Sequence, residues 1–579
     1  MRRKRRIARR EVGDPMPDFL KNHHPVLRRV LSARAVRSKE ELDHSLERLL
    51  LPHDLLDIDR AAAMLDEAID GGRRIVIVGD YDADGATGCA LAVRGLRLLG
   101  AGDVRFEVPD RLRHGYGLSV EIVERVHRRH APDLIVTVDN GISSLEGARR
   151  AKDHGIGLLI TDHHLPGKRL PEAQAIVNPN RAGDPFESKS LAGVGVIFYV
   201  LCALRARRRR RDRAPVPPMD GLLDLVALGT VADLVPLDHN NRILVEQGLR
   251  RIRKGKGSAG IRALLRVGRR SVEHASTSDL SFVVAPRLNA AGRLEDMRIG
   301  IECLLSDDDA QAEALAARLD GINRQRREMD ARMQSDAVEA LLALYGDAPV
   351  PEAAISLFKD DWHSGLIGIL ASRLKERIHR PVAAFALDAD PDNLRGSVRS
   401  IPGVHVRDLL ADIAVRNPGL IMRFGGHAMA AGLTIVRSGL ERFRSEFAHR
   451  ANEVMTQAMR EAVVDSDGEI PAVDLGLDLA RKIRDLAPWG QRFPEPVFDG
   501  VFEMADQRPV GEGERHRRLR LLAPGSDRAL DAIAFNRPAP IAGDAKGMIR
   551  IAYRLVVNRF RGLERAELTI EEIEEAPAT

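Results

Sequence analysis

The chain has 579 residues, 44% hydrophobic and 30% charged, which is the composition of a globular protein with about three domains and too long for a single core. No apolar run approaches the ~20 residues of a membrane span, and Met1–Arg6 is basic with no apolar stretch behind it, so neither a membrane protein nor a secretory signal is expected. Net charge is only +5, but arginine clusters at Arg2–Arg10, Arg205–Arg213 and Arg515–Arg520 favour phosphate as a partner, against a plainer reading of the first two as a solubilising tail and a charged loop.

In chain order, residues 1–50 hold the basic extension and a predicted helix around Lys39–Leu51. Residues Leu56–Ile69 read as a helix ended by Gly71-Gly72, and Arg74–Val78 as a buried strand followed by a helix over Ala86–Leu99. The pattern repeats: strands at Val104–Val108, Leu134–Val138, Gly157–Ile160 and Ala175–Val177, with helices at Ser119–Arg129 and Ser144–His154. Alternating βαβα with β-branched strands predicts an α/β, doubly wound parallel sheet. Helices follow at Leu191–Ala206, Asp220–Leu228 and Ile261–Val267, then a long alanine-rich helix over Asp307–Tyr345, interrupted near Gly321. A second α/β unit begins near Ala353, with strands at Ile355–Phe358, Pro381–Leu387 and Arg395–Val398 and helices at Ser364–Ile378, Val406–Ile413 and Leu440–Met459. Its Arg423–His427 stretch reads as a glycine-rich loop. A short helix at Leu477–Leu486 precedes five strand-like runs without intervening helices, Val497–Met504, Arg517–Leu522, Ala529–Phe535, Ile549–Val557 and Ala566–Ile570, which predict an OB-fold β-barrel.

Chemistry concentrates at strand ends. In an open parallel sheet the carboxyl ends lie on one edge, where ligands bind. Asp80, Asp82 and Asp84 follow one strand, Asp139 another, and Asp162-His163-His164 a third. Gathered carboxylates repel, so at neutral pH they need protons or cations. Aspartates with a histidine suit Mn²⁺ or Mg²⁺, and two such ions brace a phosphate in hydrolysis. The plainer alternative is helix capping, by Asp84 over Ala86–Leu99 and by Asp139 over Ser144–His154. Adjacent side chains point apart, so His163 and His164 are given different roles, one a ligand and the other a substrate contact or acid. The three cysteines, Cys89, Cys202 and Cys303, lack ligand spacing and read as reduced thiols of a cytoplasmic protein.

The segments Asp80-Tyr81-Asp82-Ala83-Asp84-Gly85, Val138-Asp139-Asn140-Gly141, Asp162-His163-His164 and Gly229-Thr230-Val231-Ala232-Asp233 resemble, in order, the signatures of the DHH phosphoesterase superfamily. Pro109-Asp110-Arg111, Gly115–Leu118, Ala285–Arg293, Trp362–Gly368 and Gly425-Gly426-His427 resemble its bacterial RecJ branch. The resemblance implies a DHH catalytic domain (51–305), a connector helix (306–346), a DHH-associated substrate-binding domain (347–464) and an OB-fold nucleic-acid-binding domain (465–579), after the basic extension (1–50).

By position, it implies metal ligands at Asp82, Asp84, Asp139, His163 and Asp233, with Asp139 bridging two ions of Mn²⁺ or Mg²⁺. Superfamily relatives carry a histidine where this chain has Val78, so either one ion is held weakly or Asp80 substitutes as a ligand, and the two ions are expected to be unequal in affinity. His164 is assigned as substrate contact or proton donor. Candidates for substrate binding are Arg111 and Tyr116, with Tyr116 stacking on a base; Arg287 and Asn289 on the strand backbone; Ser397 and Arg399 on a terminal 5′-phosphate; and Gly426 and His427 through backbone N–H groups. In the barrel, Arg515, Arg517, Arg518, Arg520, Arg550, Arg554, Arg559 and Arg561 imply electrostatic tracking of single-stranded nucleic acid, with Tyr553 and Phe560 as the sparse aromatics. The implied activity is a 5′-to-3′ exonuclease on single-stranded DNA releasing 5′-mononucleotides in repair and recombination, with a helicase and a single-strand-binding protein as partners, and a monomeric, cytoplasmic enzyme. Two other readings stay open: a phosphodiesterase for cyclic dinucleotides or short oligonucleotides, and a non-catalytic single-strand-binding scaffold.

Overall fold

A computed structural model describes residues 5–11, 17–110, 117–211, 215–345, 353–541, 547–560 and 562–575. Its elements run β1 (Arg6–Arg9), α1 (Pro25–Ser32), α2 (Ile58–Asp70), β2 (Ile75–Gly79), α3 (Ala83–Leu98), β3 (Val104–Glu107), α4 (Val120–His130), β4 (Leu134–Val138), α5 (Leu145–Asp153), β5 (Gly157–Thr161), β6 (Ala175–Val177), α6 (Gly193–Arg211), α7 (Leu223–Ala232), α8 (His239–Arg253), α9 (Ala259–Val267) and α10 (Thr277–Asp279). A π-helical turn over Leu280–Val284 leads into α11 (Ala285–Leu294), α12 (Arg298–Leu305) and α13 (Asp309–Tyr345). Then come β7 (Ile355–Phe358), α14 (Ile367–Ile378), β8 (Val382–Leu387), β9 (Asn393–Arg399), α15 (Val406–Arg416), β10 (Ile421–Gly426), β11 (Ala430–Val436), α16 (Leu440–Val454), α17 (Gln457–Arg460), β12 (Val463–Ser466), α18 (Leu477–Leu486), β13 (Phe498–Val510), β14 (His516–Leu522), β15 (Ala529–Ala534), β16 (Met548–Phe560) and β17 (Leu563–Glu575).

The chain divides into two compact units, one of residues 36–325 with 487–495, the other of residues 1–35, 326–486 and 496–579. The division falls inside α13.

In the 36–325 unit the sheet has the order β3-β2-β4-β5-β6, every pair parallel. Every residue of β2 and β4 is buried, which is why these strands read as continuous apolar runs. Val76 and Val78 face a core with Ile122, Val126 and Ala148 of α4 and α5. The chain leaves β2 for β3 on one side and returns to β4 on the other, so the strand order reverses between β2 and β4. That reversal opens a crevice at their carboxyl ends. The segment 487–495 joins this unit through Leu237 N–H donating to Gln491 O at 2.8 Å and Arg242 lying 4.3 Å over the Phe493 ring.

The other unit holds a mixed sheet, β10-β11-β9-β8-β7, in which only β7–β8 is parallel, and a closed barrel of order β13-β14-β15-β17-β16. This is the OB topology expected from five helix-free strand runs. The N-terminal strand β1 pairs in parallel with β12. Here the basic extension is structural: Arg9 makes a two-pronged contact to buried Asp499 at 2.9 and 3.0 Å, and Arg34 one to buried Asp467 at the same distances.

Several predicted elements need correction. The helix around Lys39–Leu51 is a series of 3₁₀ turns at Lys39–Leu42, Leu46–Arg48 and Pro52–Asp54. Asp43 accepts from Ser45 N–H at 3.0 Å, an Asx turn that competes with the helix. Helix α13 runs unbroken through Gly321, since one glycine costs only about 1 kcal/mol and a side chain there would meet nothing. The helix over Leu440–Met459 stops at Val454, and Thr456 caps a new turn by accepting from Met459 N–H. Helices α1, α8 and α12 were not expected from sequence. The Arg423–His427 loop is the edge strand β10, whose Gly425 and Gly426 stand opposite Gly432 and Ala431 in the ladder.

Candidate metal centre

The acids leave the sheet at the β2/β4 crevice. Asp80 is buried just past β2, and Asp82 caps α3 by accepting from Gly85 N–H at 3.0 Å. The cap is therefore Asp82, and Asp84 is turned to another helix: its carboxylate accepts from Gly193 N–H at 2.7 Å and Val194 N–H at 2.9 Å, at the start of α6. Asp139 does not cap α5. It sits at φ +64, a left-handed conformation rare for non-glycine residues and concentrated at functional sites. Asn140 fixes that turn by donating to Val78 O at 3.0 Å and Val138 O at 2.9 Å, tying the ends of β2 and β4 together. A Cβ on Gly193 would collide with Asp139, so glycine is needed for α6 to approach this closely.

His163 Nε2 lies 3.0 Å from Asp139 Oδ1, 3.5 Å from Asp233 Oδ2 and 3.9 Å from Asp84 Oδ2. This nitrogen is buried and has no hydrogen-bond partner among the described residues. Asp233 arrives as the C-cap of α7. Donor atoms lie within 4.8 Å of one another in three overlapping sets: Asp80, Asp82 and Asp139; Asp84, His163 and Asp233; and Asp139, His163 and His164. The two histidines do not diverge. Their ring centroids are 4.5 Å apart and both approach Asp139, because they occupy a turn after β5 rather than an alternating strand.

The electrostatics follow from burial. Asp84 is pushed up to about 7 by desolvation and the charge of Asp82, against the two N–H donors. Desolvation, with the neighbouring carboxylates, also holds Asp139 and Asp233 well above the ordinary range. Burial and the charge of His164 push His163 down to about 4, leaving a neutral imidazole able to ligate. His164 goes the other way: burial alone would lower it, but the 2.8 Å bond to Asp162 raises it to about 9. Carboxylates that hold protons when alone and a neutral imidazole among them form a site suited to a hard divalent cation.

Sequence reading named Asp162 without a role and missed Asn178 and Asn180, and these groups set the geometry. Buried Asp162 accepts from His163 N–H, His164 N–H, His164 Nδ1 and Ile142 N–H at 2.7 to 3.1 Å. Despite its burial these bonds keep it below the usual carboxylate range. Asn178 and Asn180 donate to the carbonyls of His164 and His163 at 2.9 and 2.6 Å. Their signal was available, since Asn178 follows β6 at the same sheet edge. Asn289 accepts from Ala83 N–H at 2.8 Å, so it supports the acidic turn from α11. Arg287 is buried and directed inward to Asp320 and Val283 O.

Residues 74–230 match the DHH family, N-terminal domain; residues 351–455 the DHHA1 domain; and residues 466–572 the RecJ OB domain. The chain is 47% identical over 577 residues to the single-stranded-DNA-specific exonuclease RecJ of Dickeya dadantii, spanning 99% of this chain and 98% of that protein. The chain belongs to the RecJ family. It is 44% identical over 580 residues to RecJ of Escherichia coli, spanning 99% of this chain and all of that protein. Among solved structures it is similar to RecJ of Thermus thermophilus in complex with Mn²⁺, at TM-score 0.82 and 30% identity over 99% of this chain and 80% of that one. The Mg²⁺ complex of the same protein matches at TM-score 0.76 and 29% identity, over 99% of this chain and 79% of that one. The donor set here fits the same two ions.

The remaining RecJ-family positions divide. Arg111 and Tyr116 lie outside the described residues, as do Arg213 and Arg561. In the mixed sheet, Arg399 donates to Ser397 Oγ at 2.9 Å, and a Cβ on Gly368 would meet both side chains. Gly425, Gly432 and Ser397 stand in register across β10, β11 and β9, a lane of small residues beside Arg399. Gly426 has φ +143, and His427 N–H donates to Ala430 O at 2.8 Å, so these N–H groups belong to a hairpin rather than an open loop. Tyr553 is wholly buried in the barrel core and cannot stack on a base; the Phe560 side chain lies outside the described residues. Arg550, Arg554 and Arg559 pair with Asp499 and Glu574, Glu571, and Glu564. In the second arginine run, Arg207, Arg208 and Arg211 of α6 converge on buried Asp66 at 2.9 to 3.0 Å. No described helix is long and apolar enough to cross a membrane.

Proposed function

We propose that the chain is a 5′-to-3′ exonuclease hydrolysing single-stranded DNA to 5′-mononucleotides, acting in repair and recombination. The observation that carries this reading is the largely buried set of four strand-end acids with His163 and Asp233, in a chain aligned end to end with single-stranded-DNA-specific exonucleases. In this reading Asp80, Asp82 and Asp139 hold one cation, and Asp84, His163 and Asp233 a second, with Asp139 between them. Asp80 completes the first set where Val78 offers no ligand. When bound, Mn²⁺ or Mg²⁺ supplies an acidified water and offsets charge on the scissile phosphate.

The protein's own groups do the rest. Asp162 orients the His164 ring and keeps it protonated at neutral pH, ready to contact the phosphate or give a proton to the leaving 3′-oxygen. Asn140 and Asn289 hold the backbone of the two acidic turns. Ser397, Arg399, Gly426 and His427 are assigned to a terminal phosphate, and an arginine fork suits that ligand. A helicase and a single-strand-binding protein are the partners this activity calls for, and the enzyme is placed in the cytoplasm as a monomer.

Digestion of single-stranded DNA labelled at either end, with Mn²⁺, Mg²⁺ or chelator, tests the reading. Labelled mononucleotide must appear first from the 5′ end and only with metal. Release from the 3′ end, or activity confined to dinucleotides, would reject it.

A further inference from the structure

One continuous helical segment, the π-helical turn over Leu280–Val284 running into α11, reaches the carriers of both donor sets. Asn289 Oδ1 accepts from Ala83 N–H at 2.8 Å, between Asp82 and Asp84. Three residues on, a Cβ on Gly292 would collide with Tyr81 O, so α11 lies close on the turn between Asp80 and Asp82. At the other end Ser281 Oγ donates to Val231 O at 3.4 Å, in the last turn of α7, whose C-cap is Asp233. The segment therefore rests on the acidic turn at one end and on the carrier of Asp233 at the other. A hydrogen-bonded helix keeps its length, so a segment seated in this way is a spacer between the two. π turns are rare and gather at functional sites.

The group that holds the spacer is Arg287, midway along it. Its buried guanidinium is committed on every nitrogen: Nε and Nη2 donate to Asp320 Oδ1 at 3.0 and 2.8 Å, and Nη1 donates to Val283 O at 2.6 Å. Asp320 stands on α13, in the part that belongs to the same compact unit, with Leu319 and Ile322 beside it buried. Its other oxygen lies 3.3 Å from Nε of the exposed Arg324. A buried guanidinium deprived of its carboxylate carries an uncompensated charge, and a network fully satisfied on all sides is rigid. Asp320 is itself in none of the three donor sets.

We propose that Asp320 is a positioning residue for the metal centre. Through Arg287 it fixes the Ser281–Gly292 segment, and that segment sets the spacing between the turn carrying Asp80 and Asp82 and the end of α7 carrying Asp233. The proposal rests on the two-cation assignment above and adds the group that keeps the two cation positions at one separation. Two ions act together on one phosphate only when held about 4 Å apart, so a spacer that slips costs turnover before it costs substrate binding.

The test titrates Mn²⁺ into the full, metal-stripped chain and reads electron paramagnetic resonance, with kinetics on oligo(dT) beside it. Two ions a few ångströms apart give an exchange-coupled spectrum, distinct from that of isolated Mn²⁺. D320A is expected to lose the coupled spectrum, to bind its second Mn²⁺ about tenfold or more weakly, and to lose about 10- to 100-fold in kcat with KM little changed. D320N keeps the accepting oxygen and is expected to restore the coupled spectrum. R324A, which removes the exposed partner, leaves spectrum and kinetics unchanged. Should D320A not fold, R287K carries the same test: lysine keeps the charge but cannot hold Asp320 and Val283 O together, and the spectrum is read without DNA, so a contact of that side chain with substrate does not enter. An unchanged coupled spectrum and second-ion affinity in D320A or R287K overturns the proposal, whether or not Tm falls, and assigns Asp320 to packing. So does a loss confined to KM with the spectrum intact, which would place Arg287 on the strand. Failure of the two-cation assignment is separately visible, because the unmodified chain would then show no coupled spectrum.

Discussion

The crevice between β2 and β4 and the surface of the barrel handle charge in opposite ways. At the crevice Asp80, Asp82, Asp84, Asp139 and Asp233 are brought together, and the ion pairs that Asp84, Asp139 and Asp233 make with His163 gather them around one imidazole. On the barrel Arg518, Arg550, Arg554 and Arg559 each pair with a carboxylate, as do Arg207, Arg208 and Arg211 along α6. Density of like charge along the chain was similar evidence in both places. What separates them is the kind of neighbour: carboxylates met by arginines hold the fold together, and buried carboxylates gathered with His163 form a set of donors for a cation.

The largest test of that contrast removes the gathered acids themselves. Asp82→Ala with Asp84→Ala should lower kcat/KM on single-stranded DNA by about 10³-fold or more, as loss of metal-borne charge stabilisation implies, while gel-shift binding of the strand persists. Activity within a few fold of the unmodified chain would place the metal centre elsewhere. Asp162→Asn should come next. It touches no proposed cation, yet it loosens both histidines and lowers the His164 pKa, and a loss of about 10- to 100-fold is expected for such a supporting residue. The alkaline limb of the pH–rate profile should move down with it; an unmoved limb would show that Asp162 serves packing alone.

A smaller effect is thermodynamic. Asp84 has its carboxyl raised from 3.8 to about 7 in the folded, metal-free chain. Between those values the folded state binds more protons than the unfolded one, so this contribution is fully present below the lower value and is lost as pH rises through the upper one. Metal replaces the proton and removes the loss. Calorimetry from pH 5 to 8 should therefore show the chelated protein losing Tm relative to the Mn²⁺-loaded one as pH rises, and a constant gap would contradict the coupling.

The smallest effect lies on the compensated side. Asp66→Asn strands Arg207, Arg208 and Arg211 against one another and should cost about 2 kcal/mol in urea unfolding without changing the metal-dependent rate. Exposed Arg209 and Arg210, replaced by alanine, should stay within about 0.5 kcal/mol. If those two replacements instead weakened DNA binding, the α6 arginines would have a role beyond the fold.

Much of the site was legible because chemistry at a parallel sheet's edge follows from local pattern. An apolar β-branched run that stops at an acid marks both a strand and the residue presented at its end. Asp80, Asp139 and His163 could be found that way, and Asp233 by its resemblance motif. The capping alternative named the wrong residues: the cap of α3 is Asp82, and neither Asp84 on α3 nor Asp139 on α5 is a cap. The supporting groups were only partly legible. Asn178 follows the predicted strand Ala175–Val177 and could have been read as a sheet-edge residue, whereas Asn180 shows its role only where its side chain reaches His163 O. Helix α8 went unnoticed because its polar start, His239-Asn240-Asn241, hides a buried face of Ile243, Leu244 and Leu249. The Gly425-Gly426 stretch read as a loop because glycine permits both; the ladder to β11 made it a strand.

Sequence alone determined most of the element types, the parallel sheet, the barrel and the identity of the acids, because each rests on residues close together in the chain. Tertiary structure decided which charges meet. Arg9 with Asp499, Arg34 with Asp467 and the three α6 arginines with Asp66 are pairings across long stretches of sequence, as is the approach of Gly193 that lets α6 donate to Asp84. Whether a charged cluster is satisfied depends on distances of a few ångströms between remote segments, and those distances exist only after the chain has folded.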